Sequence, residues 1–363
     1  MEKPAEVARD LELSSRLLDK IQSYSGPPAV IMEVCGTHTV AIARMGLRSL
    51  LPKEVRLISG PGCPVCVTPS GVLDEAVALV SEHGATLATY GDTLRVPGSE
   101  TTLAEARTTG ADVRVVYSAM DALEMARQDP RRQVVFFGLG FETTSPTVAW
   151  ALKVAREHRI ANFTVLSAHK ALLPAMDALA QDPELAVTAF LCPGHASIVL
   201  GAKAYRLLAE EYGTPCVVSG FEPNDILVAL LRILAQVEKG EARVENAYPR
   251  AVTIDGNTEA QRLLAEVFVL GDSRWRGLGV LDGSGYDLSD EYETHDARRR
   301  FLRGKVFPDS EPAGCRCADV LRGKLAPADC PLFGKRCTPA LPIGACMVSS
   351  EGACGASYRF QAA

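Results

Sequence analysis

The 363-residue chain is poor in aromatic residues, with 6% Phe, Trp and Tyr and two tryptophans in all. It has no surplus of positive charge: 38 Lys and Arg stand against 44 Asp and Glu, a net charge of −6. A nucleic-acid partner needs a basic face, so the balance argues against that class. No apolar run reaches bilayer-spanning length, since the greasiest stretch, 225–237, is interrupted by Arg232. The first twenty residues are charged throughout and lack the apolar centre of a secretory signal. A soluble, cytoplasmic protein with no membrane partner is expected. There is no Walker A loop and no dinucleotide fingerprint: GLGFETT at 138–144 lacks the third glycine. No Ser-His-Asp set has recognisable local context.

Cysteine is present in force. Of 11 cysteines, five fall in residues 1–314 and six between Cys315 and Cys354. In a reducing compartment such a cluster points to metal ligation or redox work rather than a disulfide framework. The composition is otherwise ordinary, 47% hydrophobic and 23% charged, enough to build substantial cores in two or three domains.

The first 240 residues alternate short apolar runs with helical patterns. Expected strands are 29–34, 55–58, 86–90, 113–117, 134–137, 164–166, 187–191 and 216–218, with helices at 72–82, 147–158, 171–180 and 226–238. β-branched runs without polar alternation suit strands buried on both faces of a parallel sheet. The class is therefore parallel α/β, as one (β/α)₈ barrel or as two open sheets. The turns after strands carry the unusual residues: CGTHT (35–39), GPGCPVC (60–66), GLGFETTSP (138–146), CPGHAS (192–197) and SGFEPND (219–225). Ligands bind at the carboxyl ends of strands in both architectures, so these turns are expected on one rim. GFETT and GFEPN hint at one unit used twice. Beyond 240 the pattern changes: an amphipathic helix at 257–270, a turn and strand at 275–281, and a charged helix at 288–302 whose Arg298–Arg300 run reads as a solvated face.

Cys35 follows a strand and opens a helix, where the macrodipole favours thiolate, and His38 can reach the same place. The bland alternative is a buried small hydrophobe with Thr37 or Thr39 as helix cap. Cys63 and Cys66 form a C-x2-C, a spacing shared by redox dithiols and half metal sites. His195 and Glu142 belong to the same rim by position alone. Cys192 and Cys216 lie in or beside strands and read as inert core thiols. In the tail, Cys315, Cys330, Cys337 and Cys354 give C-x14-C-x6-C-x16-C, soft ligands for an iron–sulfur cluster or zinc, with free or disulfide-bonded thiols as a third option. Two sulfurs left over, on Cys317 and Cys346, favour redox chemistry.

Together, CGTHT, GPGCPVC, GFETTSP, PGHAS and the tail pattern CRC…CPLFGKRC…PIGACMVSSEGAC resemble the HypD family of [NiFe]-hydrogenase maturation proteins, from about Val30 to Phe360. Ala196 and Ser145 depart from the family's usual PGHVS and GFETTAP. The resemblance implies two Rossmann-like parallel-sheet lobes, here divided as 1–130 and 131–240, and a Cys-rich [4Fe–4S] domain over 241–363. It implies a scaffold for the Fe(CN)2CO group, with Cys35 and a cysteine of the small chaperone HypC holding iron that carries cyanide and carbonyl. The resemblance further implies that cyanide would arrive from HypE and that the hydrogenase large subunit would be the eventual recipient. Cys63 and Cys66 become a nearby dithiol, with His195 lining the same cleft. By the same resemblance, Cys315, Cys330, Cys337 and Cys354 would hold the cluster. Cys317–Cys346 becomes a cluster-adjacent disulfide similar to that of ferredoxin:thioredoxin reductase, passing electrons towards Cys63–Cys66. The rivals are a cluster-dependent thiol–disulfide oxidoreductase and a zinc-stabilised α/β binding protein.

Overall fold

A computed structural model describes residues 4–360. Eleven strands are found among them: β1 (Ala29–Glu33), β2 (Val55–Ser59), β3 (Thr86–Thr89), β4 (Val113–Val115), β5 (Val134–Gly140), β6 (Phe163–His169), β7 (Ala189–Pro193), β8 (Cys216–Ser219), β9 (Val244–Asn246), β10 (Phe268–Trp275) and β11 (Gly279–Leu288). They form two open parallel sheets, ordered β2-β1-β7-β8-β9 and β4-β3-β5-β6, plus an antiparallel β10–β11 hairpin. The barrel is excluded. Strands such as β5 and β6 are buried along their whole length, which is why their sequences lack polar alternation.

The sheets do not follow the contiguous division at 130 and 240. The first lobe takes β1 and β2 from before the second lobe and β7–β9 from after it, with β1 pairing β7 through Ile31↔Ala189. The second lobe, β3–β6, is an insertion. Nor is 241–363 one unit. β9 completes the first sheet, while the helix Thr258–Val267 packs on Ser145–Glu157, and β11 lies against β6 of the second lobe. Lys153 pairs with Glu266 there at 2.7 Å.

Three expectations beyond residue 250 change. The helix expected at 257–270 ends at Val267, because Phe268-Val269-Leu270 pairs with Tyr286-Asp287-Leu288 as strand. The helix expected at 288–302 is broken at Asp296, whose carboxylate accepts the N–H groups of Arg298 and Arg299 and starts a new turn. Of the Arg298–Arg300 run, Arg299 and Arg300 are exposed as expected, whereas Arg298 is only part-exposed: its Nε reaches Glu75 at 2.6 Å and its Nη1 the Ser167 carbonyl at 2.6 Å. GFETT and GFEPN are not equivalent either. Glu142 follows the third strand of its lobe and is buried, whereas Glu222 follows the fourth strand of the other and is exposed at a helix start.

One apolar core runs through both lobes into the tail, joining Met32, Val135, Phe137, Phe190 and Val218 to Cys317, Cys346 and Met347. Two further cores cover the outer faces, one under Pro223–Lys239 and one under Ser145–Glu157. Among the described residues no helix is long and apolar enough to cross a membrane.

Candidate functional site

Strand order reverses between β1 and β7 in one sheet and between β3 and β5 in the other, and such reversals open a crevice at the carboxyl ends. The two rims face each other. A cleft of about 230 Å³ between them is lined by Cys35, Pro64 and His195 from one lobe, by Phe141, Thr143 and Thr144 from the other, and by Glu351 from the tail. The motif turns therefore lie on two opposed rims rather than one.

Cys35 caps the helix Gly36–Arg44 from an extended backbone, with no side-chain cap bond. Neither threonine serves as the cap: Thr37 Oγ1 donates to Glu351 at 2.8 Å, and Thr39 Oγ1 donates to the Cys35 carbonyl at 3.2 Å. The thiol is buried, and burial pushes its pKa up to about 11. N–H groups of His38 and Thr37 pull downward, as the helix argument expects, but burial outweighs them, so the thiol form is favoured in this state.

Glycine explains how the C-x2-C loop reaches Cys35. A Cβ on Gly62 would lie 2.2 Å from the Cys35 nitrogen, and the Gly62 carbonyl accepts the Gly36 N–H at 2.9 Å. Cys63 and Cys66 follow at once, disulfide-bonded, with Cα atoms 5.2 Å apart at the start of the turn Pro64–Val67. Both are buried.

The histidines divide. His38 is fully buried, its Nε2 2.8 Å from the Gly220 carbonyl, and burial lowers its pKa to about 4. It is a neutral staple for the GFEPN loop and does not line the Cys35 cleft. His195 does line it, stacked on Phe221 at 4.0 Å, with the Phe221 ring also 4.8 Å from His38. Burial lowers the His195 pKa, and Glu351 opposes that shift.

Glu142 is turned away from the cleft. It is buried, and its Oε1 accepts the Leu172 N–H at 2.8 Å, fixing the helix Leu172–Ala180. Burial raises its pKa to about 7, and Oε2 has no hydrogen-bond partner. Its place is under the rim. Cys192 and Cys216 are buried in β7 and β8, as core thiols should be.

Glu351 went unnoticed in the sequence reading. It sits in SSEGAC between two tail cysteines, and only the fold brings it over Gly36, where a Cβ would meet its own Cβ at 2.6 Å.

All six tail cysteines line one small cavity together with Leu332, Phe333, Gly344 and Met347. Cys317 and Cys346 have their sulfurs 2.6 Å apart. Cys337 Sγ accepts the Ile343 N–H at 3.3 Å. Gly344 is needed where it stands, since a Cβ would come within 2.6 Å of Cys315 Sγ. Among the described residues no three His, Cys, Asp or Glu groups are already arranged around one metal ion. The donor set nevertheless fits an iron–sulfur cluster: soft sulfurs, an apolar surround and a backbone N–H directed at sulfur.

These features define a two-lobed α/β protein with a thiol in its interlobe cleft and a cysteine-rich tail folded against it. The family profile described as "HypD: Hydrogenase formation hypA family" matches residues 12–361. The chain is 47% identical over 335 residues to hydrogenase maturation factor HypD of Escherichia coli, covering 92% of this chain and 90% of that one. It is 44% identical over 350 residues to the factor of the same name from Rhodobacter capsulatus, covering 95% and 93%. With the one from Azotobacter vinelandii it shares 45% over 361 residues, covering 97% and 95%. The chain belongs to the HypD family.

Proposed function

We propose that this protein is a scaffold on which the Fe(CN)2CO group of [NiFe]-hydrogenases is assembled, with Cys35 binding the iron cargo. One observation carries this reading: of the 11 cysteines, Cys35 is the one lining the cleft where both lobes and Glu351 converge. A single soft thiolate suits low-spin iron and leaves it releasable, and a HypC-like chaperone is the natural source of a second thiolate. Binding iron displaces the Cys35 proton, so loading is favoured as pH rises. His195 and Glu351 border the same space and are placed to orient cyanide delivered from a HypE-like donor. The hydrogenase large subunit receives the product.

Cys315, Cys330, Cys337 and Cys354 would hold a [4Fe–4S] cluster, which supplies an electron store. Cys317 and Cys346 form the adjacent redox pair, and the segment Ala345–Val348, which carries Cys346, packs directly on Pro64–Val67, which contains Cys66. In the relay, the Cys346 thiolate attacks Cys66, Cys63 leaves as thiolate, and Cys317 then closes the Cys317–Cys346 bond. One S–S bond forms for each broken, and two electrons with two protons pass to Cys63 and Cys66. An oxidoreductase acting on outside disulfides is the weaker reading, because Cys63 and Cys66 are 4% and 0% exposed.

The test is infrared spectroscopy of the complex with a HypC-like partner, prepared anaerobically. Cys35→Ala should keep fold and cluster absorption and lose the cyanide and carbonyl bands. Bands retained in that variant would refute the assignment.

A further inference from the structure

The turn between β10 and β11, WRGLG at 275–279, lies against both the segment that follows Cys66 and the segment that begins with Cys317. Arg276 lies at its centre with a side chain 2% exposed. Its backbone N–H donates to the Val67 carbonyl at 2.8 Å, and its Nη2 donates to the Thr68 carbonyl at 3.1 Å. Both carbonyls close the turn that carries Cys66. Its Nη1 reaches forward to the tail, donating to both Glu311 oxygens at 2.8 and 2.7 Å. Glu311 precedes Cys315 by four residues.

The neighbouring residues reinforce the wedge. A Cβ on Gly277, whose φ is +84°, would meet the Ala318 carbonyl at 2.8 Å, so the turn lies flat on the segment that begins with Cys317. Trp275 stacks on Phe141 of the cleft at 5.9 Å and donates its indole N–H to Ser284 at 2.8 Å. The Arg276 Nε is buried without a partner, so the guanidinium is held by its two ends rather than by full solvation of its charge. The two segments are also tied by the Ser310 N–H to Ser70 Oγ at 2.7 Å and the Gly71 N–H to Asp309 Oδ1 at 3.1 Å, and Arg276 adds to these the one link that reaches the Val67 and Thr68 carbonyls themselves.

We propose that Arg276 is the positioning residue for thiol exchange between Cys346 and Cys66, bracing the Cys63–Cys66 turn against the tail through Glu311. This rests on the relay described above. Exchange demands alignment of the attacking sulfur with the bond it breaks, and a displacement of about 1 Å lowers such a rate by up to about a hundredfold. The role assigned to Arg276 is to fix where one turn stands relative to the other.

The experiment uses the full cluster-containing chain with Cys63→Ser and Cys317→Ser, leaving Cys66 and Cys346 to meet. Diamide is added, and the Cys66–Cys346 cross-link is timed by alkylation and peptide mass mapping. Arg276→Gln should slow it at least about tenfold, Arg276→Lys less, and Glu311→Gln least. In the chain with all cysteines present, reduction of Cys63–Cys66 by external dithiothreitol should keep its rate in Arg276→Gln. General loosening would accelerate that reaction and would overturn the positioning role. Equal cross-linking in Arg276→Gln and its parent would also overturn it while leaving the relay standing. Absence of the cross-link in the parent would remove the relay and this inference with it. Should Arg276→Gln fail to fold, Arg276→Lys and Glu311→Gln decide together: the glutamine keeps an acceptor for Nη1 but removes the countercharge of the buried guanidinium, and cross-linking at the parent rate in both variants would overturn the positioning role.

Discussion

The lobes and the tail are held by different means. In the lobes, strands buried end to end are covered by helices as long as the 17 residues of Pro223–Lys239. In the tail beyond Phe307, the helical pieces are Cys317–Leu321, the 3-10 turn Pro327–Asp329, Ala345–Val348 and Ala353–Phe360, of 5, 3, 4 and 8 residues. Helices below about 12 residues do not persist by themselves, so the tail depends on contacts made by side chains. Six of those side chains are cysteines around one cavity. The lobes are thus stabilised chiefly by burial between long elements, whereas the tail joins its share of the common apolar core to six cysteines whose state is expected to affect its order.

The largest expected effect breaks that contrast in the tail. Cys337→Ala should expose Arg316, Arg322 and Lys324 to trypsin while the two lobes survive as a resistant core. If the tail stays protected, apolar contacts rather than thiols hold it. The matching cut in the lobes is Phe136→Ala, fully buried in β5, which should cost about 3–5 kcal/mol in urea unfolding and leave tail protection unchanged until global unfolding. A smaller effect comes from Glu142. Its folded pKa of about 7 exceeds the ordinary 4.5, so the fold favours the protonated form and loses that contribution as pH rises from about 4.5 through 7. Glu142→Gln should therefore gain in melting temperature over the parent across that range and show no gain below it. His38 has the opposite sign. With a folded pKa of about 4 against 6.5, its neutral form is favoured, and stability falls as pH drops from about 6.5 to 4. His38→Gln should flatten that part of the denaturation-midpoint curve by a modest amount; an unchanged slope would show that another group carries it.

Much of the fold was legible because burial on both faces leaves an unambiguous sequence trace. Strands β1, β2, β3 and β5 lie within a few residues of where the apolar runs place them. Pairing was not legible. Nothing local in Ile31 says that its neighbour is Ala189 rather than a residue of the next strand, and so the contiguous lobe boundaries failed. Short apolar runs that follow a helix were misread for a related reason: Val267-Phe268-Val269-Leu270 suits either period, and only the partner strand decides. For the site, the thiols announced themselves by spacing, and Cys35 and His195 do share the cleft. Glu351 and Arg276 did not, because a lone Glu and a lone Arg become informative only when long-range packing gives them partners. Glu142 was placed correctly along the chain and wrongly in depth, since a strand-end position does not say which way a side chain turns.

The insertion of one lobe inside the other also sets an order of events during synthesis. β1 and β2 leave the ribosome early, but their sheet lacks its central neighbour until β7, which begins at Ala189, has emerged. At ~5–20 residues per second the intervening chain takes on the order of ten seconds to be made. Over that interval the inserted lobe, β3–β6, can close from contacts within residues 86–169, while β1, the strand that leads to Cys35, waits with its apolar faces unsatisfied. The cleft is consequently a late product of folding. Its thiol passes from an open chain into a buried pocket only when the last strands of the outer lobe dock.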